Sequence, residues 1–196
     1  MVGHLSSSIS DADRNTYRIT MMEFLLSKGA DARAATTEGW TALHRAVSAI
    51  NMQDDVVDMA NLLLKNGADV NARATLLGTY KGIKGYNVAV LLQQYSDPEA
   101  GSDSPESVVA DQTPLHWAVE ESDIGVLEML LEHGADVHAR DSNGMTLILC
   151  AVAGSRGSRE QTAKVVKLLM EHGADPNAAD NEGLGMKEWA ERAGLE

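Results

Sequence analysis

Apolar residues fall in short, recurring runs along the chain: Met21 to Leu26, Leu62 to Leu64, Val126 to Leu131 and Val165 to Met170. Within a run they recur at i, i+3 and i+4, as in Val126, Met129 and Leu130, which predicts amphipathic helices. Each run leads into Gly-Ala-Asp, beginning at Gly29, Gly67, Gly134 and Gly173. A glycine just past a helical run takes left-handed φ/ψ without steric cost, so these four are predicted to end helices. A second pattern stands downstream as Thr41-Ala42-Leu43-His44-Arg45-Ala46 and Thr113-Pro114-Leu115-His116-Trp117-Ala118, with a worn copy from Thr146 to Ala151. Thr41 and Thr113 can N-cap a first helix, and Pro114 occupies the turn where a missing N–H costs nothing. Helix, helix, glycine and a short extended link therefore repeat. No single unit buries its apolar faces, so the units must stack.

The spacing locates the irregularities. Gly29 to Thr41, Gly134 to Thr146 and Gly173 to Gly185 each span 12 positions, with Gly185 replacing Thr. Thr113 to Gly134 spans 21, which completes a 33-residue period. Thr41 to Gly67 spans 26 and Thr146 to Gly173 spans 27, so about Ile50 to Asp54 and Ser155 to Gln161 enlarge the link between paired helices. Ser158-Arg159-Glu160-Gln161 has the form of a capping box and is expected to start a second helix. Between Gly67 and Thr113 the favoured reading is a worn, short repeat, with Thr79 in the Thr slot and Tyr95 in the Gly slot. The other reading is one long inserted loop carrying a helix at Asn87 to Tyr95. The acidic segment 101–109 is expected to be a mobile loop.

The two linked motifs, in several copies over nearly the whole chain, resemble the ankyrin repeat, whose signature is Thr-Pro-Leu-His-x-Ala in a unit of about 33 residues. The resemblance implies an all-α ankyrin-repeat solenoid of about five repeats plus a C-terminal capping helix, with one degenerate short repeat in the middle. The expected units are about 1–35, 36–73, 74–100, 108–140 and 141–179, with a cap at 180–196, in a single domain. Leu5 would take the Leu slot of the first unit, whose second helix is expected at about Asp13 to Lys28. The resemblance also assigns His44 and His116 a structural hydrogen-bonding role between neighbouring turns, and it puts ligand contacts on finger tips and first helices lining a concave face. Carried onto this sequence, the slot before Thr holds Trp40, Gln112 and Met145, and the slot after His holds Arg45, Trp117 and Cys150. The finger tips hold Thr37 and Glu38, Ser142 and Asn143, and Asn181 and Glu182, while the first helix of the regular unit ends in Glu120 and Glu121.

Charge narrows the partners. Among 196 residues, 16 Lys+Arg face 29 Asp+Glu, a formal net charge of −13. Such a field repels nucleic acid and anionic membrane surfaces, so neither is an expected partner. Aromatics are only 4% of the chain, which leaves the core to Leu, Val, Ala and Met. No apolar stretch approaches a bilayer span, and Met1 to Ser8 has the features of no secretory signal. Cys150 is the single cysteine, so an internal disulfide is excluded and an intracellular, cytoplasmic location is expected.

Catalytic patterns do not emerge against this frame. Lys81 and Lys84 lie among glycines, but no Gly-Lys-Ser/Thr follows, so there is no P-loop. Glu132-His133 and Glu171-His172 precede Gly-Ala-Asp in two repeats, where a cation near a helix C-terminus is favourable. The aspartates of Gly-Ala-Asp are expected to be turn residues, and Cys150 a buried, inert thiol. No catalytic residue, metal or cofactor is expected.

Two functions are compatible with this pattern. The first is a non-catalytic binding module that recognises a protein or peptide, with a basic patch, through its concave face. Trp and Arg dominate interface hot spots, which singles out Trp40, Arg45 and Trp117. The second is a small-molecule-binding or enzymatic protein with a pocket at 74–100, lined by Trp40, Arg45, Tyr80, Lys81, Lys84, Tyr86, Trp117 and Glu120.

Overall fold

The computed structural model describes residues 11–48, 56–76, 109–154 and 158–194. Among them are eight helices: α1 (Asp11–Ser27), α2 (Ala42–Val47), α3 (Val56–Lys65), α4 (Pro114–Glu121), α5 (Ile124–Glu132), α6 (Leu147–Gly154), α7 (Arg159–Glu171) and α8 (Met186–Arg192). Two short strands, β1 (Ala74–Leu76) and β2 (Val109–Gln112), lie between α3 and α4 in sequence. None of these helices is long and apolar enough to cross a membrane.

Helices α2, α4, α6 and α8 form one row, each packed on the next, while α1, α3 and α5 pack in a second row. The paired helices α2/α3, α4/α5 and α6/α7 join the rows. Leu43, Leu115, Leu127, Leu130, Leu147, Leu169 and Trp189 are fully buried along the resulting seam. Gly67, Gly134 and Gly173 follow α3, α5 and α7 with φ of +88°, +84° and +98°, as expected of helix-ending glycines. Ser158 starts α7 with the expected capping box: its Oγ accepts from Gln161 N at 3.3 Å, and Gln161 Oε1 accepts from Ser158 N at 2.8 Å. Helix α8 buries Trp189 completely, and its indole N–H donates to Asp180 Oδ2 at 2.9 Å.

The finger loops fold back tightly, with bridges at Ala35–Thr41 and Arg140–Thr146. They also grip their neighbours. Thr75 N donates to Glu38 O at 2.7 Å, and Asn181 N to Asn143 O at 3.0 Å. Below them a ladder of side chains joins successive units: Arg33 Nε donates to Gly67 O at 2.7 Å, Asn71 Nδ2 to Gly134 O at 3.2 Å, and Arg140 Nη1 to Ala179 O at 2.7 Å.

On either side of the middle segment the flanking units meet directly. Helix α2 packs on α4 and α3 on α5, and Arg73 donates to Arg140 O at 3.1 Å. The Asn71–Gly134 bond occupies the same register as Arg33–Gly67 one unit earlier. The Thr41 and Thr113 units are thus in direct contact through their described helices. In addition, β1 and β2 form an antiparallel two-stranded ladder, pairing Ala74 with Gln112 and Leu76 with Val109. Residues 77–108 lie outside the described residues, and with them Thr79, the helix expected at Asn87 to Tyr95 and all of the 101–109 loop except Val109. Leu5 and most of the two enlarged helix links (residues 49–55 and 155–157) lie outside as well.

Candidate functional site

The histidines of the Thr-x-Leu-His pattern are built into the interior. In α2, Thr41 N donates to His44 Nδ1 at 3.3 Å, with Thr41 Oγ1 2.9 Å from the same nitrogen. An Nδ1 that accepts leaves the proton on Nε2, which reaches the Gln112 carbonyl of the next unit at 3.3 Å. Helix α4 repeats the lock through Thr113 N to His116 Nδ1 at 3.1 Å. Burial lowers the pKa of both rings, that of His116 to about 4, so both are neutral at neutral pH. His44 thus joins its unit to the next, as the resemblance implied, while the bonds of His116 are to Thr113 of its own unit.

The other titratable candidates are also accounted for by local structure. Asp31, Asp69, Asp136 and Asp175 each accept the backbone N–H two residues on, at 2.8 to 2.9 Å, which fixes the turn after each helix. His133 and His172 direct Nδ1 at the carbonyls of Met129 and Leu168, at 2.8 and 2.9 Å, closing the ends of α5 and α7. Cys150 is fully buried, and burial pushes its thiol well above the ordinary range. Among the described residues no group of three or more His, Cys, Asp or Glu is placed to hold a metal ion.

Of the predicted surface positions, the structure presents only part. Met145 is 0% exposed, Gln112 3%, Trp117 4% and Glu120 5%, so these four belong to the interior. The physical reason is that α4 and α6 are covered on nearly all sides: every residue of α6 is buried, and all of α4 except Glu121. Tyr80, Lys81 and Tyr86 lie outside the described residues. Trp40 is half-buried, Arg45 exposed and Glu121 half-buried. The Trp40 ring lies 5.1 Å from that of Trp117 and 5.8 Å from that of His44, and its indole N–H donates to Thr75 O at 3.2 Å. Trp40 is therefore held in one orientation ahead of α2, and Arg45 is exposed in the last turn of that helix. Glu121 stands at the C-terminal end of α4, the other end of that helix from Thr113.

A cavity of about 420 Å³ lies at that other end. Its lining includes Val47, Val56, Ala118 and Val126 together with Glu121, Ser122, Asp123 and Gln161. Apart from Glu121, none of the predicted site residues among the described residues lines it. Its sequence signal was the unequal link lengths: the α4–α5 turn is short, and its neighbours on both sides are longer.

Comparison with known proteins agrees with the architecture. The family described as ankyrin repeats (3 copies) matches residues 12–74 and 83–180. A mitochondrial disaggregase of Bos taurus is 36% identical over 125 residues, 62% of this chain and 18% of that protein. The 2-5A-dependent ribonuclease of Homo sapiens is 33% identical over 113 residues, 57% of this chain and 10% of that protein. Ankyrin repeat and SOCS box protein 6 of Mus musculus is 32% identical over 119 residues, 60% of this chain and 19% of that protein. The chain thus spans less than a fifth of each of these relatives. With Gly-Ala-Asp helix stops, Thr–His locks and stacked helix pairs in one register, and with most of its length matched, the chain belongs to the ankyrin-repeat family.

Proposed function

We propose that this chain is a non-catalytic binding module that recognises a protein or peptide through the finger loops and the exposed side of α2. Ankyrin repeats generally serve as protein–protein interaction modules. The observation that carries the reading is the fixed indole of Trp40. Trp40 is wedged against Trp117 and bonded to β1, so little rotamer entropy remains to be lost on binding, and Arg45 is exposed on the helix that follows. A pre-ordered indole and an exposed guanidinium match the composition of interface hot spots. Exposed carboxylates such as Asp31, Asp136, Asp175 and Glu182, together with the net charge of −13, favour a partner with a basic patch.

The test starts with affinity capture on the intact chain, followed by titration calorimetry of the retained protein against wild type and Arg45→Glu. Arg45 is exposed, so the variant should melt as the wild type does. Its affinity should fall about tenfold or more. Equal affinity of the two proteins would move the binding surface away from α2.

A further inference from the structure

Six large apolar side chains are exposed among the described residues, and four of them lie on α1: Tyr17 (66%), Phe24 (54%), Leu25 (51%) and Met21 (40%). At 3.6 residues per turn these four share one side of the helix. Lys28 falls in line with them, and its N–H still bonds to the Phe24 carbonyl at 3.1 Å, which continues the helical register. Ile19, Met22 and Leu26 fall on the opposite side, where they pack against the core as α1 rests on α3. Helix α1 is therefore apolar on two sides, and one of them faces solvent. The other end of the stack differs: α8 exposes Lys187, Glu188 and Glu191 and buries Trp189. A stack of repeats needs a polar outer face at each end to stay in solution, and the α1 face is not polar. Contiguous apolar surface of this kind marks an interaction site.

Charge and residue order select the occupant. Residues 1–34 hold four Asp+Glu and four Lys+Arg, so the whole net charge of −13 lies beyond them. Repulsion between two copies is weakest at this end. The face is also complementary to itself. Met21 and Phe24 are equidistant from a point midway between Met22 and Glu23, and so are Tyr17 and Lys28. Two such helices laid antiparallel about a twofold axis at that point set Met21 against Phe24 and Tyr17 against Lys28, each pair occurring twice. Thioether against ring and ammonium against ring are both attractive contacts. The Lys28 ammonium lies 5.4 Å from the Phe24 ring centroid, so the cation already stands over the apolar side.

We infer that the exposed side of α1 is the interface of a twofold dimer of this chain, with the two α1 helices antiparallel. By the scale of about 150–250 Å² for one buried aromatic, the four side chains offer about 400 Å² per copy. A stable interface takes about 800 Å² per partner. The dimer is accordingly weak, with a Kd on the order of 10–100 µM. It does not rest on the binding-module reading, since neither Trp40 nor Arg45 belongs to α1.

The experiment is sedimentation velocity of the intact chain from about 2 to 500 µM at about 0.15 M salt. The weight-average coefficient should rise from the monomer value to the dimer value and level off. Tyr17→Glu and Phe24→Glu, at exposed positions, should melt as the wild type does and stay monomeric throughout. Met170→Glu, which adds the same charge at an exposed position of α7, should dimerise like the wild type. Cysteine cross-linking reads the register, because buried Cys150 offers no competing thiol. An equimolar mixture of Tyr17→Cys and Lys28→Cys chains should oxidise to the mixed dimer, and neither variant should cross-link with itself. A monomer at every concentration, growth beyond the dimer, or a dimer unchanged by both glutamates would overturn the interface. Cross-linking of each variant with itself alone would overturn the antiparallel arrangement. Hydroxyl radicals should label Tyr17 and Phe24 freely at the lowest concentration. Protection of both in the monomer would assign the face to another segment of the same chain and overturn the second copy as its occupant.

Discussion

Gly39 and Gly144 stand at finger tips where no side chain fits. Both have positive φ, +85° and +74°, and a Cβ at Gly39 would overlap the Arg73 carbonyl oxygen, one at Gly144 the Asn181 side chain. Gly134 has a similar φ of +84° but open space around it. Gly39→Ala should therefore cost about 2–3 kcal/mol in urea denaturation, against about 1 kcal/mol for Gly134→Ala. Similar losses at both sites would show that the finger contact contributes nothing. Asp141 offers a residue-scale test of pH. Burial raises its pKa from 3.8 to about 6, with the charges of Asp111 and Asp180 adding to the effect. Between about pH 4 and 6 the folded chain holds a proton that the unfolded chain has released, so stability falls as pH rises through that window. His116 has the opposite slope, because its lowered pKa removes stability as pH falls from 6.5 toward 4. Asp141→Asn isolates the first slope. From pH 7 to pH 4, wild type should gain up to roughly 3 kcal/mol relative to the variant. A gap that does not change with pH would mean that Asp141 titrates normally.

At the scale of elements, α6 explains why hot-spot composition misled at Trp117. Its sequence, Leu-Ile-Leu-Cys-Ala-Val-Ala-Gly, is apolar on every side, and a helix of that kind is buried all round. Its neighbour α4 is enclosed with it, so Trp117 packs where a partner cannot reach it. Trp117→Ala should cost about 3–5 kcal/mol of folding stability by denaturant titration. A loss below about 1 kcal/mol would return Trp117 to the surface. The helix starts lie at the other extreme: Thr41, Thr113 and Ser158 each start a helix through bonds among residues three apart, the first two legible in the sequence as N-caps and the third as a capping box. Local bonds of that kind need no tertiary partner, so spacing alone reveals them.

At the scale of the molecule, direct packing of α2 on α4 predicts that the stack does not depend on the chain between its two strands. Leu76 pairs with Val109, so an Asn-Gly turn can join them after deletion of residues 77–108. The shortened chain should keep its helical circular dichroism and unfold in one transition. Loss of cooperativity would show that the segment acts as a structural repeat.

The one-dimensional grammar of the chain determined the family, the helix stops, the caps and the roles of the histidines and aspartates, because each depends on contacts within a few residues or on a fixed repeat period. The same period assigns Thr79 and Tyr95 to the slots of a repeat that lies outside the described residues, whereas the packing of α2 on α4 is set by which helices meet in space and no spacing revealed it. Exposure was equally hidden. The slot before Thr holds half-buried Trp40 in one unit and buried Gln112 and Met145 in the next two, since burial depends on what lies across the stack. The cavity over Ser122 needed both levels: link lengths are written in the sequence, but only three units packed side by side turn a short link into a recess.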